Sequence, residues 1–581
     1  MKWILKGAKK PFRKSDTSIW SSAFLRLMCI RGFSENELES YVNPKAEKID
    51  AEEKIKGIRE TCEYLLKEDR KNIKILIYGD YDADGIMSTY VLFNGLGLLG
   101  FNNVKYYIPD RENDGYGLSV ESLQKFNLDS FDLVITCDNG ISAISAIDYL
   151  KQNNKMVIVT DHHEPIIIDG EEKLPDADYI INPKCQVNAE LKFKEYCGAT
   201  VSFFLIKQLS KLLKIENIYQ NFMPFITIAT ICDVMPIIED NRAIVSDGLK
   251  AIRNTDNIGL KKLIEVLELD IDKINTYHIG FLIGPCLNAT GRLETAKIAL
   301  DLLNETDLDK AKKHAKYLVE LNNKRKQMTE DGTKKAVEII NAESLNENNF
   351  IIVHVDDVHE SIAGIIAGRI REKYNRPALI FTDSKSEFLK GSGRSIEGID
   401  IYFYLSKFRE LFNSFGGHAM ACGASITKEN LVKLNNELNK LNIDSELFER
   451  KIKIDLKLPL AAVNFKLLDE IEYMAPFGKE NDKPIFADRR LTIVNTKVYN
   501  SKIDVYKFLI KDSNNNLRNG IFFDRDKILP EMINKEFGDG EYDRLITNKF
   551  DRFVDMIFQI EKNEYMGKTS IQLKIMYFRK N

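Results

Sequence analysis

Apolar residues along this chain follow two spacings, and the order of those spacings predicts the architecture. Short continuous apolar runs end just before Gly79, Asp138 and Asp161, and segments with helical spacing lie between them. Runs of this length predict buried strands of a parallel sheet, and the segments between them predict crossover helices. We therefore expect an α/β domain over residues 71–300, preceded by a helical segment at 1–70.

The remaining residues predict three further regions. Residues 301–346 are highly charged with apolar residues at helical spacing, which predicts a long connecting helix. Strand and helix patterns alternate again over 347–450, which indicates a smaller α/β domain. From 451 to 581 the pattern becomes a series of short strands separated by polar turns, as in a small β-barrel.

Composition narrows the class of protein and its compartment. A chain of 581 residues that is 44% hydrophobic and 29% charged is typical of a multidomain globular protein. The formal net charge of −4 does not indicate nucleic-acid binding, although it is compatible with a local basic groove. The eight scattered cysteines include no C-x-x-C pair, which argues against a zinc knuckle or disulfide framework. Since the pattern predicts neither a signal peptide nor a membrane span, we expect a cytoplasmic protein.

Candidate metal ligands lie where the predicted strands end. The side chains that follow the three strands are Asp80, Asp82 and Asp84, then Asp138, then Asp161, His162 and His163. Because the carboxyl ends of parallel strands meet at one edge of a sheet, we expect these groups to lie together. Like charges this close repel each other unless a cation lies among them, which predicts a divalent metal with oxygen ligands. A single acidic strand end could be a surface turn, but three of them favour the metal site.

A further carboxylate, Asp233, lies near the end of a segment with helical spacing, FMPFITIATICDVMP. Its neighbours Ile231, Val234 and Met235 are apolar. A buried carboxylate is costly unless it is paired or bound to metal, whereas an exposed helix end would tolerate it. Asp233 is therefore either a further metal ligand or an exposed acid at a helix end.

Glycine-containing polar segments supply the candidate phosphate contacts. We predict a polar loop at GPCLNATGRLETA with Asn288 and Arg292, and tight turns at LKGSGRS and FGGHAMACG. The turns carry Ser392, Arg394 and His418. Glycines let backbone N–H groups approach an anion while Arg and His supply charge, although ordinary turns are the alternative.

The C-terminal strands interleave aromatic and cationic residues, namely Tyr499, Lys502, Tyr506 and Lys507. A barrel that binds single-stranded nucleic acid would offer such stacking surfaces beside positive charge. A small β-domain of another function would also be compatible with this pattern.

Together these motifs resemble the DHH phosphoesterases and, within that superfamily, the RecJ exonucleases. The matching segments are DYDADG at 80–85, IPDRENDGYG at 108–117, CDNG at 137–140, DHH at 161–163, NATGRL at 288–293, GSGRS at 391–395, FGGHAMACG at 415–423 and APFGKEN at 475–481. The resemblance covers essentially the whole chain and implies a DHH domain, a connecting helix, a DHHA1 domain and an OB-fold. The chain departs from the family pattern at Val358 and Ser361, where an aromatic residue and a glycine are usual.

The resemblance implies a metal-dependent 5′→3′ exonuclease that hydrolyses single-stranded DNA to 5′-mononucleotides in DNA repair and recombination. It implies metal ligation by Asp82, Asp84, Asp138, His162 and Asp233, and catalytic support from Asp80, Asp161 and His163. It implies substrate contacts from Arg111, Asn288, Arg292, Ser392, Arg394, Gly416, Gly417 and His418. The implied cofactor is Mn²⁺ or Mg²⁺ as two ions. The implied partners are single-stranded DNA with a free 5′ end, a helicase and a single-strand-binding protein.

Two alternatives remain open. The same scaffold could serve an oligoribonuclease, a cyclic-dinucleotide phosphodiesterase or a pyrophosphatase, although the chain length and the strand-rich C-terminal region argue against this. A non-catalytic DHH scaffold that binds nucleic acid is the other alternative. Such a scaffold would be expected to lose metal ligands, whereas every expected ligand position is filled in this chain.

Overall fold

The computed structural model describes residues 1–15, 18–111, 114, 117–215, 218–385, 387–501, 503–525 and 527–581. The chain forms two compact units, of which one combines Met1–Pro44 with Arg450–Asn581 and the other is Lys45–Glu449. The predicted helical segment 1–70 is thus divided between the two units. Within the described ranges, no helix combines the length and the apolar character needed to cross a membrane.

The N-terminal residues form β1 (Lys2–Leu5), α1 (Ser22–Arg31) and α2 (Leu38–Val42). The Ser21 hydroxyl accepts a hydrogen bond from the Phe24 N–H and so caps α1. The first residues are therefore a strand and not the predicted helix. They take this conformation because β1 pairs in parallel with a strand far along the chain, Lys451–Ile454, which the local pattern does not reveal.

A parallel sheet lies at the centre of the larger unit. Its strands and an outlying hairpin are β2 (Lys74–Tyr78), β3 (Asn103–Tyr107), β4 (Leu133–Cys137), β5 (Met156–Thr160), β6 (Ile166–Ile168), β7 (Glu171–Lys173) and β8 (Tyr179–Ile181). The strand order is β3-β2-β4-β5-β8, and all pairs are parallel, whereas β6 pairs only with β7. Ile75 and Ile77 face one core, and Leu76 and Tyr78 face the other. Burial on both faces explains the continuous apolar runs of the sequence.

Helices cover both faces of this sheet and continue into the connecting helix. They are α3 (Ala51–Lys54), α4 (Ile58–Lys67), α5 (Ala83–Leu98), α6 (Val120–Leu123), α7 (Ile144–Gln152), α8 (Gly198–Leu213), α9 (Ile218–Cys232), α10 (Glu239–Arg253), α11 (Ile258–Val266), α12 (Thr276–His278), α13 (Gly284–Leu293), α14 (Lys297–Asn304) and α15 (Leu308–Ala342). The 35-residue α15 is the predicted connecting helix.

The prediction of a polar loop at 284–296 is wrong, because most of this segment forms helix α13. Its glycines and asparagine have low helix propensity, which favours the loop in the sequence pattern. In the fold, Leu287 and Ala289 are buried in the core. Tertiary burial of this kind supplies most of the stability of a short helix and overrides propensity.

A second sheet follows the connecting helix. It consists of β9 (Ile351–His354), β10 (Ala378–Thr382), β11 (Leu389–Arg394), β12 (Phe412–His418) and β13 (Ala421–Ile426) in the order β12-β13-β11-β10-β9. Its helices are α16 (Ala363–Tyr374), α17 (Ile401–Ser406) and α18 (Lys428–Asn439).

The tight turn that the sequence predicts at LKGSGRS is wrong, because most of this segment lies in β11. The turn predicted at FGGHAMACG is limited to Ala419–Met420, and the rest of that segment lies in β12 and β13. Glycine occurs inside these strands because neighbouring groups approach closely. A Cβ at Gly391 would lie 2.4 Å from the Phe381 ring, and one at Gly393 would lie 2.5 Å from Cys422 Sγ.

The C-terminal region closes into a barrel. It consists of β14 (Lys451–Ile454), β15 (Leu456–Lys457), β16 (Phe486–Tyr499), β17 (Asp504–Lys511), β18 (Leu517–Asp524), β19 (Val554–Tyr565) and β20 (Lys568–Lys580), with α19 (Phe465–Glu472), α20 (Leu529–Phe537) and α21 (Glu541–Ile546). The order β15-β16-β17-β18-β20-β19 is closed by a pairing of β16 with β19. The predicted fold class, two α/β domains joined by a long helix and followed by a barrel, is confirmed.

The barrel separates the aromatic and cationic residues that the sequence grouped. Tyr506 is 2% exposed and packs in the barrel core, so its predicted stacking role is wrong. Tyr499 is 50% exposed, and the Lys507 ammonium lies 5.1 Å from the centre of its ring. The alternation of side chains along β17 explains why Tyr506 faces inward and Lys507 faces outward. Lys502 lies outside the described residues.

Candidate metal centre and anion cleft

Four candidate ligands meet at one edge of the parallel sheet. His162 Nε2 lies 3.1 Å from Asp138 Oδ1, 3.6 Å from Asp84 Oδ2 and 3.7 Å from Asp233 Oδ2. Asp138 follows β4 and His162 follows β5, which are neighbouring parallel strands. Asp84 lies in the first turn of α5, and Asp233 directly follows α9. Residues that are distant in sequence therefore converge at the carboxyl ends of the strands, as open α/β sheets dictate.

The N-termini of α5 and α8 bind the carboxylates of Asp82 and Asp84. The Asp82 carboxylate caps α5 by accepting hydrogen bonds from the N–H groups of Asp84 and Gly85. The Asp84 carboxylate accepts hydrogen bonds from Gly198 and Ala199 at the start of α8, at 2.7 and 2.8 Å. A helix N-terminus stabilises negative charge, so both carboxylates are fixed before any cation binds. The sequence did not predict the role of Gly198 and Ala199, although the long apolar run of α8 marks the start of that helix.

The buried polar atoms of Asp138 and His162 fit a metal ion. Asp138 Oδ1 and His162 Nδ1 are buried and have no hydrogen-bond partner within the described part of the chain. Asp138 has φ of 62°, a left-handed conformation that Asp adopts more readily than most residues. A buried oxygen without a partner is costly unless a cation binds it. Carboxylate oxygens with one imidazole are a donor set that suits Mn²⁺ or Mg²⁺.

Electrostatics lead to the same conclusion. Burial, followed by the charge of Asp84, raises the pKa values of both Asp138 and Asp233 well above the ordinary range. Burial and then Asp82 raise the pKa of Asp80 to about 8. Without a counter-ion these carboxyl groups cannot all ionise at neutral pH, and a divalent cation removes the conflict.

Asp161 and His163 form a pair beside the ligands. Asp161 Oδ1 lies 2.8 Å from His163 Nδ1, and Asp161 Oδ2 accepts a hydrogen bond from the Ile141 N–H. Burial opposes ionisation of Asp161, but the bond from His163 prevails and lowers the pKa of Asp161 to about 2. Burial lowers the pKa of His163, but the hydrogen bond and the negative charge of Asp161 have the larger effect and raise it to about 9. The pair is therefore a carboxylate and an imidazolium at neutral pH.

Helix α13 packs against the turn at residues 80–84, which we call the acidic turn. The Asn288 side-chain oxygen accepts a hydrogen bond from the Ala83 N–H at 2.8 Å, a contact that the sequence did not predict. A Cβ at Gly291 would lie 2.2 Å from the Tyr81 carbonyl oxygen, so only glycine allows this approach. Arg292 Nη1 donates a hydrogen bond to the Ser361 carbonyl at 2.9 Å. These contacts connect the acidic turn to the segment that precedes α16.

A cleft of about 690 Å³ lies between the acidic turn and the second sheet. Tyr81, Arg111, Lys390 and Ser392 are among the residues that line it. The Arg111 guanidinium lies 5.4 Å from the centre of the Tyr81 ring. Glu360 also lines the cleft and pairs with Lys390 at 3.1 Å, which leaves Arg111 as the cation without such a pairing among the lining residues. The cleft therefore places a cation and hydroxyl groups beside Tyr81, the residue between Asp80 and Asp82 in sequence.

The strand register relates the remaining candidate contacts to this cleft. Arg394 of β11 and His418 of β12 both pair with Ala421, so their side chains share one face of the sheet. Ser392 and Gly416 pair in the same way with Gly423 of the cleft. Arg394 Nη1 donates to Ser392 Oγ at 3.0 Å. Gly417 lies between Gly416 and His418 on the edge strand β12, and all three are exposed.

Three family models match successive parts of the chain. The DHH family, N-terminal domain, matches residues 74–230, the DHHA1 domain matches 347–443, and the RecJ OB domain matches 454–577. A single-stranded-DNA-specific exonuclease RecJ of Bacillus subtilis (strain 168) is 34% identical over 435 residues. That alignment covers 74% of this chain and 54% of the relative, so the chain spans about half the length of that protein.

Solved structures of the same kind share the fold. RecJ in complex with Mn²⁺ from Thermus thermophilus has a TM-score of 0.81 and 23% identity, over 100% of this chain and 80% of that one. Another crystal structure, of exonuclease RecJ bound to manganese, is 30% identical with a TM-score of 0.58. It matches 66% of this chain and 94% of its own length.

Proposed function

This chain belongs to the RecJ family of single-stranded-DNA-specific exonucleases, and from that membership we propose that it hydrolyses single-stranded DNA from the 5′ end to 5′-mononucleotides. The observation that carries the proposal is the convergence of the Asp84, Asp138 and Asp233 carboxylates on His162 Nε2, where the buried Asp138 Oδ1 has no hydrogen-bond partner among the described residues. A cleft that Arg111 and Lys390 line lies against Tyr81, the residue between Asp80 and Asp82 in sequence. Metal donors next to an anion cleft are the arrangement that phosphodiester hydrolysis requires.

We assign metal ligation to Asp82, Asp84, Asp138, His162 and Asp233, and we propose Mn²⁺ or Mg²⁺ as two ions. The relatives with bound manganese support the metal. The number of ions is carried over from the family resemblance. When bound, the cations would activate water for attack and offset the charge of the scissile phosphate.

His163 is the proposed proton donor. Its Nδ1 lies 2.8 Å from Asp161 Oδ1, which orients the ring. A group with a pKa near 9 is protonated at neutral pH, so it suits protonation of the leaving 3′-oxygen better than removal of a proton from water. Asp161 then acts as a positioning residue that fixes the ring. Asp80, buried behind the turn, supports the carboxylates without contacting substrate.

The 5′-end preference would come from the second sheet. Arg111 and Ser392 line the cleft, and Arg394 binds Ser392 directly, so these residues can hold a terminal phosphate. Arg292, His418 and the backbone of Gly416–Gly417 are the further proposed contacts. Asn288 contributes indirectly, by holding the turn at Ala83. The exposed Tyr499 and Lys507 on the barrel would contact bases and backbone of the single strand.

The test compares Asp138→Asn with the wild-type protein on a 3′-labelled single strand in Mn²⁺. We expect the rate to fall by at least about 100-fold, because the substitution removes a central ligand charge. Asp256→Asn is the matched control, since the Asp256 side chain is fully exposed on the surface. Equal rates for wild type and Asp138→Asn would refute the site. A dinucleotide and pyrophosphate assayed alongside would reveal the alternative activities.

A further inference from the structure

The cleft between the acidic turn and the second sheet contains an ion pair. Lys390 Nζ lies 3.2 Å from Glu360 Oε1 and 3.1 Å from Glu360 Oε2, and both side chains line the cleft. Among the described residues that line it, Glu360 is the one carboxylate, and Arg111 and Lys390 are the two cations. A carboxylate opposes the binding of phosphate, so its place in this cleft calls for a function.

Glu360 is fixed in the cleft by hydrogen bonds to the backbone on either side of it. The Val358 carbonyl accepts a hydrogen bond from Thr382 Oγ1, and the Ser361 carbonyl accepts one from Arg292. Val358 and Ser361 are buried, and they are the two positions at which the chain departs from the family pattern. The Glu360 side chain is only 25% exposed, so water and salt screen its charge incompletely.

The cleft extends along the second sheet beyond the proposed phosphate contacts. Lys390 precedes Ser392 by two residues on β11, so the two side chains lie on one face of the sheet and about 7 Å apart. Lys390 pairs with Ser425, which pairs with Ser414, and all three line the cleft. We call Lys390, Ser425 and Ser414 the second row. Arg394, two residues after Ser392, is not among the described residues that line the cleft, so the cavity extends from Ser392 toward the second row.

The second row has room for a ligand but little positive charge to bind an anion. A cleft of about 690 Å³ is large enough for a small molecule, which is more than a single phosphate requires. Glu360 compensates the charge of Lys390. Ser414 Oγ lies 2.7 Å from Ser425 Oγ, and Asn413 Nδ2 donates to Ser425 Oγ at 3.3 Å, so these neutral groups already bond to one another. Discrimination among 5′ ends in this cleft is therefore a matter of charge and not of size.

We propose that Glu360 is a specificity-determining residue, which makes the cleft select strands with a 5′-monophosphate over strands with a 5′-polyphosphate. This inference rests on the proposed exonuclease function. The first phosphate contacts Arg111 and Ser392, whereas the outer phosphates of a 5′-triphosphate would enter the second row, where they meet the Glu360 carboxylate. Specific sites commonly combine an attractive group for one ligand with a repulsive group against its competitor. Arg111 is the attractive group in this cleft, and Glu360 is the repulsive one.

The experiment measures KM and kcat of the full chain in Mn²⁺ on single strands of one sequence that carry either a 5′-monophosphate or a 5′-triphosphate. We expect KM of the wild-type protein to be about tenfold higher for the triphosphate strand, because like charges repel in a partly buried cleft. In Glu360→Gln this ratio should fall to about twofold or less, since the carboxylate is gone and Lys390 is available to phosphate. In Lys390→Gln the ratio should rise to about thirtyfold, since the Glu360 charge is then uncompensated.

The opposite changes in the two variants distinguish a role in charge selection from a structural role. Loss of an ion pair that only stabilises the fold would change the ratio in neither variant or in the same direction in both. Each ratio compares two substrates on one protein preparation, so a partial loss of folded protein cancels.

Glu429→Gln is the matched control. Glu429 forms an ion pair with Lys433 at 2.7 Å on α18. This helix packs against the other face of the second sheet, since its Leu434 shares a core with Leu389 of β11. The variant removes the same charge from the same domain and should keep the wild-type ratio.

The outcomes separate this inference from the proposed function. Equal KM values for the two strands in the wild-type protein, or an unchanged ratio in Glu360→Gln, would overturn the role of Glu360 alone. A ratio that falls in Lys390→Gln would overturn it as well. Absence of hydrolysis of both strands would instead overturn the exonuclease proposal, and the inference that rests on it would fall too.

Discussion

The two sheets of the larger unit place functional groups in different ways. On the first sheet the groups follow the ends of strands, where Asp138 succeeds β4 and Asp161 succeeds β5. On the second sheet they lie within strands, as Ser392 and Arg394 do in β11. The strand ends are buried and fixed by backbone N–H groups, whereas the strand faces are open to the cleft. The first arrangement holds donor atoms rigidly, as the proposed metal site requires, and the second leaves an open surface, as the proposed contact with a flexible polyanion requires.

The largest expected effect comes from disturbing the backbone that holds the strand ends. A Cβ at Gly198 would lie 2.6 Å from Asp138 Oδ1, and the Gly198 N–H binds Asp84, so Gly198→Ala must move both carboxylates. We expect Mn²⁺ affinity to fall by about 100-fold, the upper end of the range for residues that orient metal ligands. Calorimetric titration with Mn²⁺ and the exonuclease rate at limiting Mn²⁺ measure it.

Gly97→Ala is the matched control for this prediction. Gly97 lies near the end of α5, and a Cβ there would meet nothing within 4 Å. Alanine should leave Mn²⁺ affinity unchanged and stabilise the helix by up to about 1 kcal/mol. If Gly198→Ala binds Mn²⁺ like the wild type, the start of α8 does not fix the proposed ligands. The proposed difference between rigid strand ends and an open strand face would then be wrong.

A smaller effect is expected from Asn288, whose side chain connects α13 to the acidic turn. Asn288→Ala removes the acceptor of the Ala83 N–H, and we expect Mn²⁺ affinity to fall by about tenfold. Asn94→Ala removes a side-chain bond at the far end of α5 and should leave Mn²⁺ binding intact. If Asn288→Ala instead weakens only the preference for 5′-phosphorylated strands, Asn288 contacts phosphate and belongs with the cleft.

The same contrast between the two sheets explains which site residues the sequence pattern predicts. Strand-end groups such as Asp84, Asp138 and His162 follow apolar runs directly, so the pattern that predicts the strands also predicts that these groups meet. Asp233 is far from them in sequence and was indicated only by the cost of burying a carboxylate among apolar neighbours. The family resemblance added the assignment of individual ligands, for which strand patterns carry no information.

The second sheet was harder to predict because its determinants are not local. Gly391 and Gly393 tolerate a strand only because Phe381 and Cys422 pack against them, and no sequence pattern shows that contact. Helix α13 likewise exists because Leu287 and Ala289 are buried, against the propensity of their neighbours.

Tyr506 was misassigned because its inward or outward direction depends on the register of the barrel.

Removal of the metal should make the first sheet sensitive to pH. In the metal-free protein the folded pKa of Asp80 is about 8, above the unfolded value of about 3.9. The folded state then keeps a proton that the unfolded state has lost, so the stabilisation is present at low pH and disappears as pH rises through about 8. We expect the melting temperature of the chelator-treated protein to decrease by a few degrees between pH 6 and pH 9.

Differential scanning calorimetry tests this prediction, with saturating Mn²⁺ as one control. Bound cation should abolish the decrease, since it stabilises the ionised carboxylates. Asp80→Asn should flatten the pH dependence of the metal-free protein without abolishing it, because Asp138 and Asp233 also have raised pKa values. A melting temperature that rises over this interval would contradict the burial of ionisable carboxylates at the strand ends.

The smallest expected effect is the change in KM that follows when a methyl group is added to the open face of the second sheet. Gly423 pairs with Ser392 and lines the cleft, and a Cβ there would meet nothing within 4 Å. Gly423→Ala should therefore raise KM for 5′-phosphorylated strands by roughly two- to fivefold through contact with the ligand alone, since the fold has room for the methyl. Gly391→Ala, one strand away, should instead destabilise the fold by about 1–3 kcal/mol through its clash with Phe381. If Gly423→Ala lowers Mn²⁺ affinity as Gly198→Ala does, cleft and strand ends form one coupled site, and their separation into rigid and adaptable parts is wrong.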